Sequence, residues 1–338
     1  MEPFYVVGAG GIGCAIGYAL CAAGCRVVFV DVQAEKSDWG RAHGVRVDRH
    51  PPQQALFVSF DQWSPTAGAT VFLCTKCYDN KTVLARLPIP STVIPVQNGF
   101  DPCLDGGDHL EGIASFVSEC FPNQTHTRIT RAGRLHLGLR RVNGAAPQLA
   151  VPDECLARIA GLLSKSKLFG VRVVADILPY KHTKLMYNAA IGPIAAAAGL
   201  DNGQLLSVAK ARRLFFGLLR ENYTILRDAG VCLETIGPFH PDTVYRILRR
   251  KMLARALAWA FYPSLRGSYC SMNGDLLLGR TEIDNYNRYL IDLAGNRSCP
   301  LNRRVYDLIK RMEREHVPPR VAVLDELPCG PFEKTSLS

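Results

Sequence analysis

Three groups of residues in this 338-residue chain have the types and spacing to do chemistry. The first is Gly8-Ala9-Gly10-Gly11-Ile12-Gly13, with glycines at G-x-G-x-x-G spacing and an acid, Asp31, 18 residues beyond the last of them. Such a loop can take a pyrophosphate. Gly8 allows the tight turn, Gly10 lets backbone approach phosphate, and Gly13 lets helix pack close on strand. The second is Lys184 with Asn188, one turn apart if the segment is helical. A lysine so placed can polarise a carbonyl and donate a proton as an alkoxide forms. Spacing alone fits a surface lysine equally well. The third is Glu282 in Arg280-Thr281-Glu282-Ile283-Asp284. It is as ambiguous, because Thr281 can cap a helix whose first turn favours acids.

Positioning these groups needs particular elements. Phe4-Tyr5-Val6-Val7 reads as a buried strand, an alanine-rich stretch to Gly24 as a helix, and Arg26 to Val30 as a second strand ending on Asp31. Strand, glycine loop, helix and terminal acid together form the dinucleotide-binding fingerprint, with the helix N-terminus offering free N–H groups to phosphate. Short strands follow at 45–47 and 56–60. Apolar runs at 69–75 and 92–96 end in Lys76 and in Gln97-Asn98-Gly99. Continuous apolar strands separated by helices argue for a parallel sheet, with ligands beyond the carboxyl ends of its strands.

Residues 113–117 and 135–139 read as an antiparallel addition to that sheet, with Arg128, Arg131 and Arg134 in the turn between them. A helix over 154–167 and a last strand over 171–174 complete the α/β half. Beyond it the pattern is helical, at 180–198, 204–229 (closed by Gly230), 241–260, 281–293 and 302–313. The expected architecture is an α/β, Rossmann-type dinucleotide-binding domain over 1–177 and an all-helical substrate and catalytic domain over 178–316. A loosely ordered tail follows over 317–338.

Composition narrows the classes. The chain is 48% hydrophobic, with 40 basic against 30 acidic side chains. Its arginines are scattered, with no basic tail or aromatic-interleaved platform, so an anionic cofactor and substrate explain the excess better than nucleic acid. Residues 3–25 carry no charge, but their glycines and strand–turn–helix pattern exclude a membrane span, and Glu2 excludes a signal peptide. Twelve cysteines without a secretory signal point to a reducing, cytoplasmic compartment. Cys74-Thr75-Lys76-Cys77 has C-x-x-C spacing, but no second pair accompanies it and no metal is expected.

The chain resembles the ketopantoate reductase (2-dehydropantoate 2-reductase) family over roughly residues 4–313. The matching residues are the Gly8-to-Gly13 loop, Lys76, Gln97-Asn98-Gly99, Lys184-Leu185 with Asn188, and Asn202-Gly203. They continue with Ser271-Met272 and Asp275, Gly279-Arg280 with Thr281-Glu282-Ile283-Asp284, and Pro300-Leu301-Asn302. The resemblance implies reduction of a 2-oxo acid to a 2-hydroxy acid by NAD(P)H in an interdomain cleft, with 2-dehydropantoate to pantoate as its reference reaction. Lys184 then matches the general acid, and Glu282 the carboxylate that binds the substrate hydroxyl and tunes the lysine. Asn98 matches the asparagine near nicotinamide and substrate. Asn188, Asn202 and Ser271 match substrate contacts, and Lys76 lies beside the cofactor. The glycine loop from Gly8 through Ala9, Gly10, Gly11 and Ile12 to Gly13 is the cofactor's seat.

Three departures bear on substrate and cofactor. Gly192-Pro193 stands where the family usually has asparagine-proline, and the Ser271-to-Glu282 segment is one residue short. Asp31 occupies the position where NADPH users carry a basic or small polar residue. An acid there bonds a ribose 2′-OH and repels a 2′-phosphate, so NADH is favoured, with Lys36 and Arg41 as partial compensation. An opine- or sugar-phosphate-type dehydrogenase and a non-catalytic nucleotide sensor stay open as alternatives. The partner expected is a small-molecule 2-oxo acid, not nucleic acid or membrane, and a homodimer is held open.

Overall fold

The computed structural model describes residues 2–141 and 153–327. The chain divides into two compact units, Met1–Leu178 and Pro179–Ser338.

The first unit is built on a parallel sheet. Its chain order runs β1 (Phe4–Val7), α1 (Gly11–Ala22), β2 (Val27–Asp31), α2 (Ala34–His43), β3 (Arg46–Val47), β4 (Leu56–Ser59), β5 (Thr70–Leu73), α3 (Asn80–Leu84) and β6 (Thr92–Pro95). Five of these strands pair in the order β4-β2-β1-β5-β6, all parallel. The Phe4–Val7 strand shows why the run is continuously apolar. Phe4 and Val6 enter one hydrophobic cluster with α1, while Tyr5 and Val7 enter another with Trp63, Val71 and Leu73. Period-two alternation on a sheet covered on both faces leaves no polar side. The strand order reverses between β1 and β5, so the loops leaving their carboxyl ends lie side by side at the switch point. A Cβ on Gly8, whose φ is +97°, would stand 2.8 Å from the Cys74 backbone.

The remaining strands include the expected antiparallel pair but are more numerous and lie in sheets of their own. They are β7 (His109–Ala114), β8 (Val117–Cys120), β9 (His126–Arg131), β10 (Arg134–Arg140) and, after α4 (Asp153–Ser164), β11 (Gly170–Asp176). With β3 they form two separate three-stranded sheets, β11-β10-β7, in which β7 and β10 pair antiparallel, and β3-β9-β8; an isolated bridge between Val96 and Gly112 joins the first of them to the main sheet. Arg128 and Arg131 are therefore strand residues of β9, not turn residues. The alternation in Thr127-Arg128-Ile129-Thr130-Arg131 is that of a half-exposed strand, which the arginines masked.

The second unit is helical. Its first helix, α5 (Leu178–Ala198), starts where Asp176 Oδ1 accepts the Leu178 N–H at 3.0 Å. It ends at Gly199 with φ +67°, where Leu200 N–H bonds back to the Ala195 carbonyl at 3.0 Å. The stretch 204–229, read as one helix, is two: α6 (Asn202–Ser207) and α7 (Ala209–Asp228), broken at Val208 in extended conformation. Likewise 241–260 is α8 (Pro241–Leu248) and α9 (Lys251–Leu265), broken at Arg250. Neither break carries glycine or proline. In the first, Asp201 caps α6 through the Gly203 and Gln204 amides, and Arg212 donates to the Leu206 carbonyl at 2.8 Å, so the short helix is closed at both ends. After α10 (Ser271–Leu277) a π-helical turn spans Asp284–Arg288 and leads into α11 (Tyr289–Ala294) and α12 (Pro300–Glu315). The tail from 317 is packed through residue 327, contrary to its loose reading. Val323 and Leu324 are buried in a 3-10 turn, and residues 328–338 lie outside the described residues. No helix among the described residues is long and apolar enough to cross a membrane.

Pro193 sits inside α5 and has no N–H for the Ala189 carbonyl, four residues earlier. Asn287 Nδ2 donates to that carbonyl at 2.9 Å and also to Asn302 Oδ1 at 2.9 Å. Asn302 Nδ2 donates in turn to Asn222 Oδ1 at 2.8 Å, and Asn222 Nδ2 to the Met186 carbonyl at 3.0 Å. The three asparagines are fully buried. Glu221 completes the network by accepting the Leu301 and Asn302 amides at 3.1 and 2.8 Å, a negative charge at the N-terminus of α12. Removing Asn287 orphans a buried carbonyl, so Asn287→Ala should cost at least about 2 kcal/mol in a urea unfolding curve. Adding Pro193→Ala, which restores a ladder N–H, should recover part of that loss. Strict additivity of the two changes would mean that the Ala189 contact contributes nothing.

Candidate functional site

In the first unit the glycine loop and the acid after β2 form one assembly. Asp31 Oδ2 accepts the Ala9 N–H at 2.7 Å and Oδ1 accepts the Gln33 N–H at 3.0 Å. Lys36 lies beside it, 4.0 Å from Oδ2, and donates to the Ala9 carbonyl at 3.3 Å. The carboxylate therefore braces the loop as well as ending the strand. It keeps accepting capacity to spare, since an ionised carboxylate has about four lone-pair sites. Arg41 is turned away from this group, bonding Asp38 and the Phe57 carbonyl, so of the two expected compensating cations only Lys36 stands by Asp31.

The glycines divide by role. A Cβ on Gly13 would lie 1.9 Å from the Gly8 carbonyl oxygen, and one on Gly11 2.7 Å from the Ser118 carbonyl oxygen. Around Gly10, the N-cap of α1, nothing lies within 4 Å of a Cβ position, and no side chain caps the helix. An uncapped twelve-residue helix with open space at its N-terminus suits the diphosphate of a dinucleotide. Gly13 thus packs the helix close on the backbone leaving β1, as the sequence implied, and Gly17 adds a second close approach, its Cβ position lying 2.1 Å from the Phe29 ring. Ile12 is half-buried on the hydrophobic cluster under the loop.

The loops after β5 and β6 are tied together. Gln97 Nε2 donates to the Thr75 carbonyl at 2.8 Å and to Asn80 Oδ1 at 2.7 Å, and Asn80 Nδ2 donates to Asp101 at 2.8 Å. This buried network holds the segments that carry Lys76 and Asn98, both half-exposed. Cys74 and Cys77 are core thiols, and burial pushes the Cys74 thiol well above its usual range, so it stays protonated. No group of histidine, cysteine and acidic residues suited to a metal ion occurs among the described residues. A surface cavity of about 570 Å³ in this unit, lined by Asp48, Arg49, His50, Phe121, His126 and Arg128, contains none of the expected site residues.

In the second unit α5 is buried along most of its length, with a half-exposed strip at Lys184, Tyr187, Asn188 and Ile191. Lys181, one turn before Lys184, is fully buried. Two lysines thus share the helix, one half-exposed and one buried. The Glu282 segment lies along α5 on both sides of Lys184, through His182 to the Tyr289 hydroxyl at 2.9 Å and Ala189 to Asn287. Glu282 is 4% exposed and accepts from the Tyr286 hydroxyl at 3.3 Å. Its neighbour Thr281 is locked by Glu313, which accepts both the Thr281 N–H and hydroxyl at 2.7 Å. The π-helical turn that follows is an irregularity often found at functional sites.

Ser271 opens α10 beside α5, where Cys270 Sγ reaches the Gly192 carbonyl at 3.5 Å and Asn273 reaches the Leu200 carbonyl at 3.3 Å. Asn202 is buried and donates its backbone N–H to the Ser268 carbonyl at 2.9 Å. Its Oδ1 is buried without a hydrogen-bond partner, a cost that a donor on a ligand would remove. The structure thus gathers Lys184, Asn188, Asn202, Ser271 and Glu282 on segments that pack together. Sequence reasoning missed Tyr187 on the Lys184–Asn188 strip. Its helical spacing from Lys184 was available, but an aromatic on a helix reads by default as core. Burial pushes its phenol up to about 12, so it remains a neutral donor.

Comparison with known proteins agrees with this division. The family profile described as "Ketopantoate reductase PanE/ApbA" matches residues 4–138, and "Ketopantoate reductase PanE/ApbA C terminal" matches 176–313. A 2-dehydropantoate 2-reductase of Pyrobaculum aerophilum is 27% identical over 244 residues, 71% of this chain and 76% of that protein. Among solved structures, a PanE/ApbA family ketopantoate reductase from Ralstonia eutropha JMP134 superposes with TM-score 0.69 at 20% identity, covering 92% of this chain and 99% of that one. A D-mandelate dehydrogenase solved with NADH and anilino(oxo)acetate gives TM-score 0.70 at 17% identity, covering 92% and 98%. The chain belongs to the ketopantoate reductase family and is an NAD(P)-dependent oxidoreductase.

Proposed function

We propose that the protein reduces a 2-oxo acid to the 2-hydroxy acid, with Lys184 as proton donor. 2-Dehydropantoate, the substrate that names the family, is the first to test. The observation that carries this reading is the strip on α5. There a half-exposed lysine stands one turn from an amide and is flanked by the segment of a buried carboxylate, Glu282. The nicotinamide cofactor supplies a hydride to the carbonyl carbon, and the rest falls to this chain.

Lys184 donates a proton to the carbonyl oxygen as negative charge develops there, and its ammonium stabilises that charge before transfer. Glu282 orients the lysine and accepts from the substrate hydroxyl. Its own position is fixed by Tyr286 and by the Thr281–Glu313 lock. Asn188, Asn202 and Ser271 present amide and hydroxyl groups to the substrate, the orphaned Asn202 Oδ1 being an acceptor already desolvated for the purpose. Gly8, Ala9, Gly10, Gly11, Ile12 and Gly13 seat the diphosphate, with Lys76 and Asn98 contributing from the neighbouring loops.

NADH is the preferred donor in this reading. Asp31 is held in place by the Ala9 and Gln33 amides, so its carboxylate cannot swing away from a 2′-phosphate without releasing the loop. Lys36 offsets part of the repulsion, which makes the preference one of degree.

A steady-state screen of 2-oxo acids, 2-dehydropantoate included, with NADH and NADPH separately tests the reaction, and silence from every acid with both cofactors would sink it. Lys184→Ala should lower kcat at least about a hundredfold, and near-normal turnover would remove Lys184 from the mechanism. Asp31→Ala should raise the ratio of NADPH to NADH efficiency while raising KM for both, because the loop loses its brace. An unchanged ratio would mean that the carboxylate does not face the ribose.

A further inference from the structure

Two cysteines meet at the glycine loop. Cys14, near the start of α1, donates its thiol to the Ala9 carbonyl at 3.3 Å. Cys120, the last residue of β8, shares its S–H between the Gln124 carbonyl at 3.1 Å and the same Ala9 oxygen at 3.6 Å. The backbones that carry them run side by side, since a Cβ on Gly11 would stand 2.7 Å from the Ser118 carbonyl oxygen. Cys14 lies one turn beyond Gly11, and Cys120 lies two residues beyond Ser118 on the same side of its strand.

The two thiols are unequal. Cys14 is fully buried, and its hydrogen bond with Cys120, together with burial, holds its thiol well above the ordinary range. Cys120 is half-buried. The Cys14 thiol as hydrogen-bond partner brings Cys120 below its ordinary range, against burial and with help from the Lys36 charge. Cys21 and Cys25, at and beyond the far end of the same helix, are instead both pushed up by burial, Cys21 to about 12. A partly accessible thiol of raised acidity beside a protonated one is the arrangement in which oxidation stops at a disulfide. In a reducing compartment such a bond is transient, and its use is sensing. What the pair holds is the carbonyl of Ala9, to which Lys36 also donates at 3.3 Å, while Asp31 accepts the Ala9 N–H.

We propose that Cys14 and Cys120 form a peroxide-responsive dithiol whose oxidation to a disulfide weakens dinucleotide binding. This rests on the glycine loop as the seat of the dinucleotide and adds a modification site to it. The Cys120 thiolate attacks a hydroperoxide, an S–O bond forms as the O–O bond breaks, and the other oxygen takes up a solvent proton and leaves as water or an alcohol. Cys14 then attacks the sulfenic sulfur, and the S–S bond forms as the sulfenic hydroxyl leaves as water with the Cys14 proton. The two thiols are oxidised by two electrons and the peroxide is reduced by two. Two molecules of a small thiol reverse the change and are released as their own disulfide. A disulfide carries no S–H, so the Ala9 carbonyl loses both sulfur donors and keeps Lys36.

The test uses the full chain, reduced or treated with hydrogen peroxide, with NADH affinity read by fluorescence titration and cross-links by peptide mapping. Peroxide should join the peptides carrying Cys14 and Cys120 and raise the NADH dissociation constant at least about fivefold, the scale of one lost hydrogen bond. Dithiothreitol should restore the affinity. Cys120→Ser should form no such link and keep its NADH affinity through peroxide. Cys14→Ala should stop at a sulfenic acid on Cys120, captured by dimedone, and Cys120→Ser decides the matter if Cys14→Ala does not fold. A Cys14–Cys120 link that leaves NADH affinity unmoved, an equal loss of affinity in Cys120→Ser, or oxidation confined to the exposed Cys103 and Cys232 would overturn the switch and leave the loop as a dinucleotide seat. Failure of the reduced protein to bind NADH or NADPH would overturn the reading of the loop itself, and the switch with it.

Discussion

In the middle of α5, Pro193 withholds an N–H from the Ala189 carbonyl, and Asn287 supplies one from another helix. A buried carbonyl cannot be left without a partner cheaply, so this bond obliges the segment after Glu282 to lie against the lysine-bearing helix. Asn302 and Asn222 extend the obligation to α12 and α7, and Glu221 anchors the chain of amides at a helix N-terminus. The helix that carries Lys184 is thereby fixed in height and rotation by side chains from other helices. Within such a network, removing one asparagine leaves its buried partners without a hydrogen bond, which makes each of them sensitive to substitution.

The first unit solves a comparable problem with charge. Asp31 ends β2 and also accepts from the Ala9 amide, so strand, glycine loop and carboxylate form one group. Lys36, between Asp31 and the Ala9 carbonyl, ties the same loop from the other side.

Legibility in the sequence varied with the kind of signal. The parallel sheet was readable because strands buried on both faces must be continuously apolar, as Phe4 to Val7 are. The β8–β9 hairpin was not, because Arg128 and Arg131 on its exposed side obscure the alternation. The breaks at Val208 and Arg250 were also hidden. No glycine or proline marks them, and what stops each helix is capping and packing from elsewhere in the chain. Ser271 could be singled out only through family resemblance, and Glu282 stayed ambiguous without it, since a serine and a glutamate at helix starts are ordinary. Tyr187 was passed over because an aromatic at helical spacing is usually core.

By itself the sequence determined that a dinucleotide loop opens the chain, that a parallel sheet follows, and that Lys184 and Asn188 share a helical face. Those conclusions need only local spacing and period, which residue order contains in full. The tertiary structure alone decided that, of two lysines on α5, Lys184 is half-exposed and Lys181 buried. It also decided that Asp31 holds the loop, and that the Ala189 carbonyl is satisfied from nearly a hundred residues away. Exposure and long-range hydrogen bonding are properties of the packed chain. No local pattern records which side chain the fold will bring opposite a given carbonyl.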